Sequence, residues 1–161
     1  NDLGIKQTAM LTGDNLENAN NIAQKAGIST VHANLLPEQK VDIVKKTKEQ
    51  YGNVIMVGDG INDAPSLATA TTGIAMGYGG TAISAETSDV VLLVDDITRV
   101  ATAVEISQHT TKIVKQGIFF GIGASFVLMG FAGLGYISPG YGALFQEILD
   151  VTVILNALRA R

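Results

Sequence analysis

The chain has 161 residues, of which 47% are hydrophobic and 16% charged, with a formal net charge of −4 and no cysteine. That length holds one domain, or one domain with an appendage. The acidic balance without an arginine-rich patch argues against nucleic acid as a partner, and the lack of thiols excludes a disulfide framework or a thiolate metal site within these residues.

The first residue is Asn1 rather than Met and a strand pattern begins almost at once, so the chain reads as a piece whose beginning is missing. From residue 1 to about residue 96, short β-rich runs alternate with helical patterns, the mark of a parallel sheet with crossover helices. Strands are expected at Thr8–Leu11, Thr30–His32, Val54–Val57, Gly73–Met76 and Val90–Val94. Leu16–Ala26 has helical apolar spacing and ends at Gly27, a natural C-cap. Pro37 suits the first turn of the next helix, which turns Val41, Ile43 and Val44 inward until Gly52 stops it. This half is expected to be a Rossmann-like α/β unit.

From Ile97 the pattern changes. Ile97–Lys115 predicts a helix with charged and polar residues along it, after which 31 consecutive residues, 116 to 146, carry no charge. Ile118–Ile137 covers roughly 30 Å at the helical rise, enough to cross a bilayer core. "GYISPGYG" supplies turn residues and two tyrosines suited to a membrane interface, and Ala143–Leu158 makes a second apolar helix. Lys112 and Lys115 flank one end of this hairpin and Arg159 and Arg161 the other, which puts both ends, and the α/β half, in the cytoplasm. A buried helical pair in a soluble protein fits the length less well. Gly117 and Gly121 are spaced for close packing against another helix, and the expectation is that further spans from the missing part supply it.

The densest chemistry lies at expected strand ends, "LTGDN" (Leu11 to Asn15) and "GDGIND" (Gly58 to Asp63), where open α/β sheets bind ligands. Asp59 and Asp63 facing one point raise each other's pKa unless a cation or a basic group neutralises them. A hard divalent ion such as Mg²⁺ is the natural occupant, because it accepts carboxylate oxygens and keeps waters and phosphate oxygens in its shell. Thr12, with Gly13 and Asp14 at the start of a helix, can offer its hydroxyl and backbone amide to phosphate oxygens. Lys40 brings a positive charge and Asn62 a neutral hydrogen-bonding group, which completes a phosphoryl-transfer cradle. Each piece alone has an ordinary reading: Thr12-Gly13-Asp14 as a helix cap, Lys40 as a solvated lysine, and Gly58 and Gly60 as turn glycines chosen for their backbone angles. Their order and combination favour the site. His32 and His109 have no partners at ligand spacing and read as a strand-end and a helix-surface residue.

"MLTGDN", "LLPEQK", "VIMVGDGINDAPSLATATTGIAMG" and "TSDVVLL", in that order, resemble the phosphorylation domain of P-type ATPases, cation pumps built on the haloacid dehalogenase fold. The resemblance implies that Thr12 contacts the phosphoryl group and Lys40 neutralises it. It also implies that Asp59 and Asp63 serve Mg²⁺ and the phosphorylation site with Asn62, and that ATP is the substrate of the complete protein. The ending "VILNALRAR" after two spans resembles the heavy-metal-transporting branch. It implies residues 1–96 as the C-terminal part of the phosphorylation domain, 97–115 as a stalk helix and 116–161 as a transmembrane hairpin in the cell membrane.

In that branch the last span helps bind the transported ion, here a monovalent or divalent metal cation. The matching stretch is "QEILDV", Gln146 to Val151, where Glu147 and Asp150 share a helix face. Acidic groups inside a span are costly and mark ion or proton paths, although at the membrane edge they would simply be solvated. Asn156 reads as an interhelical hydrogen-bonder. The zinc and cobalt pumps show His-Glu-Gly or Asp-x-Gly at this place, so the resemblance does not specify the metal.

The family's phosphorylated aspartate lies in an Asp-Lys-Thr-Gly stretch that does not occur here. The chain is therefore expected to be the C-terminal part of a pump and, alone, not to hydrolyse ATP. Two other readings remain: a membrane-anchored phosphatase of the same fold, and a non-catalytic membrane module that binds magnesium or a partner through the acidic loop.

Overall fold

The computed structural model describes residues 3–59, 62–77 and 86–160. The chain divides into two compact units, Asn1–Ala101 and Thr102–Arg161.

The first unit is α/β. Its strands are β1 (Ala9–Leu11), β2 (Thr30–His32), β3 (Ile55–Gly58), β4 (Thr72–Met76) and β5 (Val90–Leu92). All are short, and every pairing is parallel, as the alternation of runs predicts. They form two hydrogen-bonded sheets, however, where the sequence suggests one. One sheet pairs β1 with β2, Ala9 opposite Thr30; the other has the order β3-β4-β5, with Ile55 opposite Thr72 and Ile74 opposite Val90. The two sheets share a core, because Leu11 and Val54 pack against the buried cluster of Val44, Met56, Leu67, Ala70 and Ala75.

The helices form where their ends are satisfied. Helix α1 (Leu16–Ala26) is capped by Asn15, whose side chain accepts from the Asn18 amide at 2.9 Å, and it closes at Gly27 with φ 69°. A left-handed residue there costs glycine nothing, as the sequence anticipates. Ala19 and Ala23, one turn apart, are its buried face. Helix α2 (Pro37–Tyr51) starts with proline at its first position, and Gln39 Oε1 accepts from the Leu36 amide at 2.8 Å, half of a capping box. Val44 is buried, while Val41 and Ile43 are half-buried.

Helix α3 (Ala64–Thr69) is not signalled by any periodicity, since its six residues make less than two turns. It is nonetheless the centre of the core: Leu67 is 1% exposed, and its carbonyl oxygen lies 2.7 Å from where a Cβ on Gly73 would stand. Only glycine at this point of β4 lets α3 come so close.

Helix α4 (Thr98–Gly133) has 36 residues, about 54 Å of continuous helix, so the expected stalk and first span are one element. It ends at Gly133, short of the expected Ile137; Gly135 at φ 80° begins the turn, and the Tyr136 amide donates to Phe131 O at 3.1 Å. Helix α5 (Pro139–Ala157) starts four residues before the expected Ala143, with Pro139 inside its first turn, and runs into a 3₁₀ turn at Leu158–Ala160. Both are long and apolar enough to cross a membrane. Large apolar side chains stand exposed along them, Phe119 at 76% and Phe126 at 68% among them. In water such a surface would be an aggregation liability; in a bilayer it is the ordinary outer face of a span.

Within this second unit the glycines of α4 find their neighbour in α5. A Cβ on Gly121 would lie 3.3 Å from Val153 Cγ2, and one on Gly117 would lie 3.6 Å from Val153 Cγ1. The expectation that other spans must fill the Gly117/Gly121 face is thereby corrected: the hairpin packs against itself. Asn156 likewise departs from expectation, since its Oδ1 accepts from Arg159 Nη1 at 3.3 Å along its own segment.

Candidate active site

Thr12 stands one residue past β1, Asp59 one residue past β3, and Lys40 in the first turn of α2. Three hydrogen bonds run from the Thr12 loop into α2 and from α2 to Asp63. The Leu35 amide donates to Thr12 O at 3.0 Å, which ties the Thr12 loop to the segment entering α2. The Lys40 amide donates to Leu36 O at 3.2 Å, which begins the helix. The Lys40 Nζ then reaches Asp63 Oδ1 at 2.6 Å, with both side chains only 14% and 15% exposed. A charge-assisted contact of this length, mostly withdrawn from water, is stronger than a surface pair.

Asp63 is held from behind by Gly58. A Cβ on Gly58 would fall 2.7 Å from Asp63 Oδ2 and 2.8 Å from Asp63 Cβ, so any side chain there would evict the aspartate. Gly58 is not at a left-handed φ. Its ordinary reading as a turn glycine selected for backbone angle is therefore corrected; it is required for space. Gly60 lies outside the described residues.

The Thr12 loop differs in detail from expectation. The Thr12 amide donates to His32 O at 2.9 Å, extending the β1–β2 ladder, so it does not face a phosphate as foreseen. The Thr12 hydroxyl oxygen accepts from the Asp14 amide at 3.1 Å and keeps its own proton to donate. Asp14 accepts from the Asn15 amide at 2.9 Å and from Asn18 Nδ2 at 3.5 Å, while Asn15 caps α1. The helix-capping alternative for Thr12 thus falls on Asn15. Gly13 passes close to Leu35, whose carbonyl oxygen would be 3.2 Å from a Cβ. Asp59 and Asn62 are exposed on either side of the undescribed residues 60 and 61.

In the second unit, Ser125 of α4 and Gln146 of α5 hydrogen-bond across the helices: the Ser125 hydroxyl lies 3.3 Å from Gln146 Oε1, and Gln146 Nε2 donates to Asp150 Oδ1 at 3.2 Å. Asp150 also lines a cavity of about 600 Å³ between Gly121, Ile122 and Ser125 on one side and Val153 on the other. Glu147 and Asp150 are both exposed; Asp150 differs in bonding Gln146 and lining that cavity, which Glu147 does not. Ser125 and the role of Gln146 are not visible from spacing, because they depend on the register of the hairpin. His32 ends β2 and His109 is exposed on α4, as read from the sequence.

A family model of haloacid dehalogenase-like hydrolases matches residues 1–71. The chain is 44% identical over 162 residues to a cadmium-transporting ATPase of Staphylococcus aureus, covering 98% of this chain and 22% of that protein. It is 45% identical over 159 residues to a zinc-transporting ATPase of Bacillus subtilis (strain 168), covering 99% and 25%. A crystal structure of a zinc-transporting PIB-type ATPase in the E2.Pi state superposes with a TM-score of 0.87 at 36% identity, covering 94% of this chain and 25% of that one. The chain thus spans between a fifth and a quarter of the length of the proteins it resembles, and over nearly all of its own length it is homologous to heavy-metal-transporting P-type ATPases.

Proposed function

We propose that this homologue of the heavy-metal P-type ATPases supplies the phosphoryl site and two ion-pathway helices of an ATP-driven heavy-metal cation pump, with its α/β unit in the cytoplasm. The observation that supports this best is the 2.6 Å contact of Lys40 with Asp63, which brings two separate motifs to one point. In this reading ATP is the substrate, and its γ-phosphoryl group passes to an aspartate carried outside this chain before water releases it.

The donor set fits Mg²⁺: two carboxylates four positions apart with an amide between them offer oxygen ligands only. Asp59 and Asp63 would hold it, and bound there it would supply positive charge to the phosphoryl oxygens. Lys40 holds Asp63 in place and adds its own charge beside the transferring group. The Thr12 hydroxyl donates to a phosphoryl oxygen, and Asn62 orients the group without adding charge. Gly13 and Asp14 shape the loop that carries Thr12.

Helix α4 begins within the first unit and continues into the second, which makes it the natural link between phosphorylation and the ion path. Coupling requires that the phosphorylated and free forms bind the ion with different affinity. Asp150, fixed by Gln146 and lining the cavity, is the better ion ligand of the two acids, and Glu147 the weaker. The test is metal-stimulated ATP hydrolysis by the full-length protein with zinc, cadmium, cobalt and copper. Asp150→Ala should abolish stimulation and Glu147→Ala should reduce it less; stimulation by every metal unchanged in both variants would defeat the ion-path assignment. Recovery of the upstream sequence separates the rival reading, since Asp-Lys-Thr supports the pump and Asp-x-Asp a membrane-anchored phosphatase.

A further inference from the structure

The charged end of the hairpin holds a cleft that phosphoryl transfer does not use. It is an open groove of about 450 Å³, lined by Glu105, Ile106, Gln108, His109 and Lys112 of α4 and by Ala160 of the closing 3₁₀ turn. The antiparallel register of the hairpin creates it: Ser125 meets Gln146, Gly121 meets Val153 and Gly117 faces Asn156, so the end of the chain returns beside residues 105 to 112.

The charges around the cleft are uneven. Lys112 lines it, Lys115 follows one turn later on α4, and Arg159 adjoins Ala160. Lys115 is the last charge before 31 uncharged residues, so these three cations stand at the depth where lipid phosphates lie. The one acid of the lining, Glu105, is seven residues or about 10 Å from Lys112 along the helix, on the side away from the apolar run. His109 adds a ring N–H donor between them. Arg159 is anchored by its bond to Asn156 Oδ1 at 3.3 Å. Beyond Lys115 the exposed Ile118 and Phe119 offer the apolar surface that acyl chains need.

We propose that this cleft binds the phosphodiester headgroup of an anionic phospholipid of the cytoplasmic leaflet, with Lys112 and Arg159 as its cationic contacts. Basic pockets beside spans on the cytoplasmic side take such headgroups. The lining itself carries one cation, Lys112, and one acid, Glu105; Lys115 and Arg159 beside it tip the balance toward a lipid with net negative charge over a zwitterionic one. The apolar wall at Ile106 and the outer faces of Ile118 and Phe119 favour a lipid over free phosphate. The proposal goes beyond the pumping cycle and rests only on the membrane placement of the hairpin.

The test uses the full-length protein in nanodiscs of phosphatidylcholine with a small share of phosphatidylglycerol, without nucleotide or metal, and counts retained lipids by native mass spectrometry. The wild type should retain phosphatidylglycerol above its bulk share, and excess inorganic phosphate should not displace it. Lys112→Gln and Arg159→Gln should each lower that retention about fivefold, the effect of one cation near an anionic surface, while Lys112→Arg preserves it and shows that the variant fold is intact. Equal retention in wild type and both glutamine variants would overturn the proposal. So would displacement by inorganic phosphate, or equal retention of phosphatidylethanolamine. Because no ATP or metal is present, a failure of the pump reading leaves this readout unaffected.

Discussion

The Asp63 carboxylate occupies the space a side chain on Gly58 would need, since a Cβ there would stand 2.7 Å from Asp63 Oδ2. Both Asp63 Cβ and Cγ are also within about 3 Å of that point, so rotation of the carboxylate alone does not relieve the clash. Gly58→Ala should therefore displace Asp63 from Lys40. The overpacking should cost about 1–3 kcal/mol of stability, and misplacement on the scale of 1 Å should lower phosphorylation of the complete protein about a hundredfold. Thermal unfolding and phosphoenzyme labelling check the two effects separately.

Lys40 and Asp63 form one partly buried pair, so their substitutions should not be additive. Lys40→Ala leaves a carboxylate mostly withdrawn from water without its cation, and should destabilise by about 1–3 kcal/mol. Once Asp63→Asn is present, Lys40→Ala should cost much less, with a coupling energy of about 1 kcal/mol or more. A double-mutant cycle by denaturant unfolding of the full-length protein in detergent measures this; additive values would mean that the contact contributes nothing.

How far the sequence could be read follows from what each signal depends on. Gly27, Gly52 and Pro37 are local signals, and they bound α1 and α2 where expected. The charge-free run after Lys115 depends on composition alone and marks the apolar helices directly. Other features need partners distant in sequence. The Thr12 amide is taken by His32 because of the β1–β2 register, and nothing near Thr12 announces it. Ser125 becomes a partner of Gln146 only once the turn at Gly135 sets the hairpin. Gly58 looked like a turn glycine because the motif shows its neighbours in sequence, whereas its constraint is the returning side chain of Asp63. Helix α3 was too short to show a period, although Leu67 within it is the most buried large side chain of the core.

Two glycines of α4 should respond differently to bulk. Gly121 faces Val153 Cγ2 at 3.3 Å from a built Cβ, while a Cβ on Gly123 meets nothing within 4 Å. Gly121→Leu should separate the helices and lower the melting temperature of the detergent-solubilised protein, with a cost of about 1–3 kcal/mol. Gly123→Leu should be nearly neutral in the same measurement.

The start of α4 should loosen in acid. The Thr98 hydroxyl at 2.7 Å and the Thr98 amide at 3.0 Å both donate to Asp96 Oδ1, and these bonds hold the carboxyl below its usual range, with Arg99 adding a smaller pull. A carboxyl with a lowered folded-state pKa contributes its stability above the unfolded value, and loses it as pH falls through the folded value. The Asp96–Thr98 bonds should therefore be intact at neutral pH and be lost only as pH falls below the ordinary aspartate range. Titration of the Thr98 amide resonance should show a midpoint below that of an unstructured aspartate, and Asp96→Asn should abolish the transition.

The central claim is that Asp59, Asp63 and Lys40 serve phosphoryl transfer to an aspartate elsewhere in the complete protein. Its most direct test is formation of a hydroxylamine-labile phosphoenzyme from radiolabelled ATP and Mg²⁺ by the full-length protein. Labelling should fall about a hundredfold or more in Asp59→Asn and in Lys40→Gln. Labelling equal to wild type in both variants would contradict the account.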